Sequence, residues 1–432
     1  MVREIRSLVV VALFAFLALP GPAFAFSGVG AGTEIDPYII TNVEELQQMK
    51  NDLDAYYELG NDVDASETQA WNEGRGFGPV GNHPSPFTGV FDGRGHTIKA
   101  LHINRPSDTG VGLFGYTSGA EISRIGLIDA DVCGNYYVGS LVGGCRDGSV
   151  VSNCYAAGQV TISESRSGDT KSGGLVGACG RSTISQCYSA VNVTALSGRY
   201  QVGGLCGYLR ALAGDPPALI INCYSAGTVT SNGWKVGGLL GDADGRNAKV
   251  SMCYSVAKVT GTHKKGLVGF NFRSPTIEDS YWDKEASTCS SSRGGTGKTA
   301  EEMMQQATFA NWDFVNVWDL LENESYLSLK EVDSGMAVVN NIEHLIHEKV
   351  EQWKKIDVLL RKEQRTYRAL DEMLRSGDYG NLGYSGIVTA REEIYSVIQQ
   401  DEQLKQAIEY SIKRLESALV ALGFELVPEA PD

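Results

Sequence analysis

Beyond its first 25 residues the sequence has no apolar run of the roughly twenty residues a membrane-spanning helix needs. It has no basic stripe either. Lys and Arg number 5 against 13 Asp and Glu over residues 26–111, and 14 against 11 over residues 112–281, so no nucleic-acid partner is expected. Proline is scarce, 12 residues against 51 glycines, and with 42% hydrophobic residues this composition favours a turn-rich, ordered protein over a disordered one. The opening residues account for the one long apolar run: Arg3 and Arg6, then Leu8 to Leu19, then Ala23-Phe24-Ala25 before Phe26. That is the pattern of an export signal over residues 1–25. No cysteine follows the cleavage site to carry a lipid. The expected address is secreted, cell surface or periplasmic, with no transmembrane anchor after signal cleavage.

What the sequence does have is one short pattern that returns six times between Gly112 and Tyr281. Glycine-flanked apolar pairs close at Gly115, Gly143, Gly177, Gly207, Gly241 and Gly269, and each is followed by a second marker: Ile125, Cys154, Cys187, Cys223, Cys253 and Ser280. A period of about thirty residues means stacked units that cannot bury a core alone. From each marker the positions alternate. Cys154, Ala156, Gly158 and Val160 are small or apolar, whereas Tyr155, Gln159 and Thr161 have polar atoms, and the same order returns after Cys187, Cys223 and Cys253. Period two is a strand with cysteine and valine inward and tyrosine and threonine outward. Three short strands and their corners fill a coil of this length, which makes the array a parallel β-helix whose glycines stand where a Cβ would clash.

The Gly173 to Gly177 and Asn222 to Ser225 segments resemble the GLUG repeats of exported bacterial surface proteins, some immunoglobulin-A-cleaving metallopeptidases among them. The resemblance is close over the repeats and looser over their flanks. It implies a mainly β fold, a right-handed parallel β-helix (β-solenoid), and an exported address. No activity belongs to the repeat itself.

The flanks divide by composition. Residues 26–111 read as an N-terminal cap with the first coils: strands at Tyr38 to Thr41 and Tyr56 to Leu59, a helix from Val43 to Leu53, and strand, tight turn, strand from Phe91 to Ile98. Residues 112–281 are the repeats. Residues 282–335 read as a C-terminal cap in which Thr299 and Glu302 box a short helix and Trp312, Phe314 and Trp318 cover the last coil. Residues 336–425 carry two amphipathic helices, the second capped by Thr389 and Glu392, around a turn at Ser376 to Asn381. They form an antiparallel α-helical hairpin of coiled-coil type, expected to fold independently and to mediate self-association. Residues 426–432 are a tail.

Candidate chemistry is sparse. His347-Glu348 starts a zinc-protease helix, but Glu351 stands where the second histidine must be. Gly297-Lys298-Thr299 ends like a phosphate loop, but Ser292 replaces its first glycine. Asp52, Asp54, Asp62 and Asp64 lack the glycine and closing glutamate of a calcium loop, and Asp242 to Gly245 reads as a coil corner. No metal or cofactor is expected. Asp129, Asp131, Asp279 and Asp283 are the carboxylates available to the alternative reading, a polysaccharide hydrolase or lyase built on a β-helix. The nine cysteines are an odd number, and laddered Cβ atoms about 4.8 Å apart exceed the usual disulfide reach of about 3.5–4.5 Å, so free buried thiols are expected.

The remaining candidate is an aromatic row. Tyr155, Tyr188, Tyr224, Tyr254 and Tyr281 share one outward position on five coils. Such a row stiffens the solenoid, lies beneath a loop, or binds an extended ligand with sugar faces on its rings. The function expected is a non-catalytic binding or structural surface protein, its partner an extracellular polysaccharide or a cell-surface protein.

Overall fold

The computed structural model describes residues 26–163, 170–195, 200–330, 332, 336–377 and 383–421. Residues 1–25, read above as an export signal, and the 426–432 tail lie outside the described residues. Residues 38–298 form a parallel β-solenoid with four sheets. Each repeat contributes, in chain order, a strand to a third sheet (Thr109–Val111 through Lys264–Lys265), a fourth (Phe114–Ser118 through Val268–Phe272), a first (Tyr38–Ile40 through Thr276–Glu278) and a second (Val63–Asp64 through Thr296–Lys298). The interior is columns of like residues. Cys154, Cys187, Cys223 and Cys253 are fully buried, as are Val151, Ile184, Ile220 and Val250 one strand earlier. All nine cysteines are free thiols.

Two backbone features explain the repeat. From Gly143 onward the closing glycine of each pair packs on the third-sheet strand of the coil before it. A Cβ on Gly177 would stand 2.5 Å from the Val138 nitrogen, and on Gly241 2.5 Å from that of Val202, so close approach and not an unusual φ requires glycine there. The residue before each marker turns the corner into the second sheet in the left-handed region: φ is 54° at Arg124, 53° at Asn153, 50° at Gln186, 52° at Asn222, 51° at Met252 and 42° at Asp279. Asparagine tolerates this conformation best among residues with a Cβ. Stacking compensates the other types, since the corner amide donates to the next coil, as from Gln186 to the Ile221 carbonyl at 3.1 Å.

The flanks depart from expectation in places. α1 (Val43–Gln48) is shorter than expected and runs on as a 3-10 turn, Met49–Asn51, with the Asn42 side chain capping Glu45. The strand, tight turn and strand expected from Phe91 to Ile98 are present as Val90–Asp92 and Thr97–Lys99, which lie in different sheets, so the turn is a coil corner. Asp242 and Asp244 lie within the strand Leu240–Asp244; the corner is Gly245, at φ 106°.

The C-terminal segment does two jobs. After α2 (Lys284–Ser287), residues 288–293 run along the open end: Gly266 donates to Ser291, Arg293 to Val268, and the Ser292 hydroxyl accepts from Leu267 and Val268. α3 (Ala300–Met303) carries the Thr299–Glu302 capping box, as expected. Trp312 packs on Tyr281 of the last coil, as expected, and with Trp318 extends the cover along the flank of the solenoid over Tyr254 and Tyr224.

α4 (Met336–Ser376) and α5 (Gly383–Ala421) pair in one antiparallel register. Trp353 donates to Glu409 at 2.8 Å, Lys405 bonds Asp357, the rings of Tyr367 and Tyr395 are 5.9 Å apart, and Arg391 reaches Asp371 at 3.3 Å. α5 starts at Gly383, so Thr389 is helix interior and not a cap.

Candidate functional site

The five tyrosines do stand in register, and four of them stack. Ring centroids are 5.0 Å apart for Tyr155–Tyr188, 4.7 Å for Tyr188–Tyr224 and 4.9 Å for Tyr224–Tyr254, with planes within 8°. The row starts where Tyr155 lies over Gly126, which has no side chain to obstruct the ring. Tyr281 leaves the stack for an edge contact with Phe309 at 5.3 Å.

The rings point away from the coil interior but not into solvent. Tyr155, Tyr188, Tyr224 and Tyr254 are between 1% and 8% exposed, in a second core with Met303, Phe309, Trp312, Trp318, Leu327 and Leu329. Trp318 packs on Tyr224 and Tyr254 at 6.3 and 5.9 Å, the Trp312 indole donates to the Asp279 carbonyl at 3.0 Å, and the Tyr254 hydroxyl donates to the Leu327 carbonyl. Burying side chains of this size is worth roughly 1.5–3 kcal/mol each, so six of them hold the cover with on the order of 10 kcal/mol before ordering costs. In this structure the row is therefore a packing surface, and the ligand-facing reading of these tyrosines is corrected: the stacked rings cover one another's faces, and the segment that follows the last coil packs over them.

The same strands have an uncovered part. Four and six residues beyond each marker's tyrosine lie two outward rows. One is Gln159, Asn192, Thr228 and Lys258; the other is Thr161, Thr194, Thr230 and Thr260. Gln159, Asn192, Lys258, Thr161 and Thr260 are exposed and the other three are half-buried, while the valines between them are fully buried. The first row continues backward through Asp131 to His102. His102 Nδ1 lies 3.0 Å from Asp131, Gln159 donates to Asp131 at 3.0 Å, and Thr228 donates to Asn192 at 2.8 Å. The product is a flat strip of amides and hydroxyls repeating at the strand spacing of about 4.8 Å.

The candidate carboxylates are engaged in structure. Asp129 sits at φ 54°, Asp131 is held by His102 and Gln159, Asp279 accepts from Asn311, and Asp283 caps α2 and accepts from the Tyr326 hydroxyl at 2.7 Å. Asp131 and Asp283 lie on second-sheet strands five steps apart, about 24 Å, far beyond the separation of a glycosidase pair, which is at most about 9.5 Å. Among the described residues no three His, Cys, Asp or Glu side chains stand together as a metal site. Asp64 bonds the Ser66 amide and Asp62 the Thr97 amide. Lys298 ends a strand and Thr299 caps a helix, so neither belongs to a phosphate loop. The side chains of His344 and His347 lie outside the described residues.

Sequence reasoning missed the seam between the third and fourth sheets. There the buried Lys171 ammonium lies 4.6, 5.2 and 5.3 Å from the rings of Tyr136, Tyr137 and Tyr208. Asp242, 1% exposed, takes Lys235 at 2.6 Å and Gln201 at 3.0 Å, and burial still pushes its carboxyl up. Lys171, Gln201 and Lys235 stand in register, and that was the available signal.

Comparison with known proteins agrees with this geometry. Residues 198–230 match the family described as the GLUG motif. The chain is 30% identical over 315 residues to Halomucin of Haloquadratum walsbyi, covering 70% of this chain and 3% of that protein. It is 21% identical over 264 residues to Immunoglobulin A1 protease of Streptococcus pneumoniae, covering 60% of this chain and 11% of that one. The chain thus spans a small part of the length of these relatives. A Bacteroides ovatus crystal structure described under the immunoglobulin A1 protease name superposes with a TM-score of 0.52 at 22% identity, over 70% of this chain and 94% of that one. That likeness is one of fold.

Proposed function

We propose that this GLUG-bearing solenoid is an exported surface protein that binds an extended polysaccharide along the uncovered strip of its second sheet. The observation that carries the reading is the division of that sheet: its aromatic half is sealed by residues 303–332, and its polar half stands open in two straight rows. Amides and hydroxyls both donate and accept, which suits a polymer of hydroxyl groups, and side chains already bonded to a neighbour, as Gln159 to Asp131 and Thr228 to Asn192, are partly ordered before ligand arrives.

The helical hairpin supplies attachment or self-association in this reading. Val358, Leu359, Val397 and Leu404 are between 41% and 67% exposed on its two helices, apolar surface that the hairpin does not itself bury.

The test is a Gln159→Ala, Asn192→Ala double variant, compared with the parent for retention on cell-wall and extracellular polysaccharides and for melting temperature. Lost retention at unchanged melting is expected. Unchanged retention rejects the strip.

A further inference from the structure

Trp234 is 68% exposed, yet it immediately precedes the third-sheet strand Lys235–Gly237 and is not on a loose tip. Its ring lies 5.8 Å from that of His263, the residue before the next strand of the same sheet, Lys264–Lys265. The register places Val236 opposite Lys264 and Gly237 opposite Lys265, so His263 and the two lysines stand on the rung after Trp234. Lys264 donates to the Thr288 hydroxyl at 2.8 Å and Lys265 to the Ser291 hydroxyl at 2.9 Å. These partners are neutral, and among the described residues no carboxylate lies within ion-pair distance of either lysine. Lys235 differs, because buried Asp242 neutralises it. The charge of the pair is felt nearby: burial pushes the Cys289 thiol up, and Lys264 and Lys265 are among the groups that work against that rise.

An exposed indole one rung before two lysines that have only neutral partners among the described residues has a definite complement. The indole face takes a flat apolar surface, such as the C–H face of a sugar ring, and the lysines take negative charge. The repeats carry more Lys and Arg than Asp and Glu, 14 against 11, although the chain as a whole has a net charge of −15. We infer that Trp234, His263, Lys264 and Lys265 form a binding site for an anionic polysaccharide, one sugar ring lying on the indole while a carboxylate or sulfate further along the polymer meets the lysines. The site uses none of the strip's residues, so it stands or falls separately from the strip.

The experiment measures binding of the full chain to immobilised polygalacturonate and to heparin, with fully methyl-esterified polygalacturonate and single-stranded DNA as controls. The unmodified protein is expected to hold at least one of the two anionic polysaccharides, more weakly as salt rises, and to hold the neutral ester and the DNA far less. Trp234→Ala should weaken that binding about tenfold, the upper end of what one aromatic stack contributes. Lys264→Gln with Lys265→Gln should weaken it and flatten its salt dependence. Both variants should melt with the parent, since the indole is exposed and the ammonium bonds lie at the surface. A Gln159→Ala, Asn192→Ala protein should bind these polymers unchanged. Failure to hold either anionic polysaccharide, equal retention of the ester, equal retention of DNA, or full binding by Trp234→Ala would each overturn the assignment.

Discussion

Tyr188 is the residue on which the two readings of the aromatic row differ most. It is 2% exposed, with ring neighbours on both sides at 5.0 and 4.7 Å. Truncating a buried aromatic to alanine costs about 3–5 kcal/mol, and each stacked contact contributes about 0.5–1.5 kcal/mol beyond burial. Part of the second quantity is contained in the first, so Tyr188→Ala should cost about 4–6 kcal/mol. Tyr188→Phe keeps both stacks and should cost about 1 kcal/mol. Guanidinium denaturation reads both, followed by circular dichroism and by tryptophan emission, to which Trp312 and Trp318 over the row contribute. The alanine variant should lower the midpoint strongly and the phenylalanine variant slightly. A Tyr188→Ala protein within about 1 kcal/mol of the parent would refute the packing argument, and so would a Tyr188→Phe protein destabilised as much as the alanine variant.

Three further outcomes follow from the geometry. Gly241→Ala should cost about 3 kcal/mol, because its Cβ would stand 2.5 Å from both the Val202 nitrogen and the Gly207 carbonyl oxygen. Gly148→Ala, at φ 92° with nothing within 4 Å, should cost only about 1 kcal/mol of backbone strain, and equal losses in chemical denaturation would contradict the close-packing account. Burial raises the Asp242 carboxyl above its ordinary value of 3.8 despite Lys235, so the folded state holds that proton more tightly than the unfolded chain does. Its stabilising effect is full below pH 3.8 and is lost as pH rises through the raised folded value. Across that window the stability of the parent relative to Asp242→Asn should fall; a relative rise would mean that the ion pair outweighs burial. Finally, iodoacetamide should reach at most half-buried Cys133 in the native protein and all nine thiols in denaturant, since buried neutral thiols do not react. Fewer than nine labels after denaturation without reductant would reveal disulfides.

The repeat was readable because its signals are local. The strand pattern of period two follows from neighbours within a few residues, and the glycine where backbones of adjacent coils touch recurs once in every repeat. The inward cysteines are legible for the same reason, since identical coils in register place identical residues in one column. The antiparallel hairpin follows from two amphipathic helices, although the start of α5 was misplaced: Thr389 and Glu392 look the same in a helix interior as at a cap.

The sequence alone determined which side of each strand a residue takes: Cys187 inward and Tyr188 outward. Only the tertiary structure decided what lies against the outward side. The indole of Trp318 bonds Asn222, 96 residues away, and the Tyr254 hydroxyl reaches Leu327, 73 residues on. Such contacts leave no periodicity in either segment, and a tyrosine facing solvent has the same local pattern as one facing a tryptophan. Pattern reports the direction of a side chain, whereas burial depends on whatever distant chain packs there, which is why the aromatic half of the sheet proved closed and the polar half open.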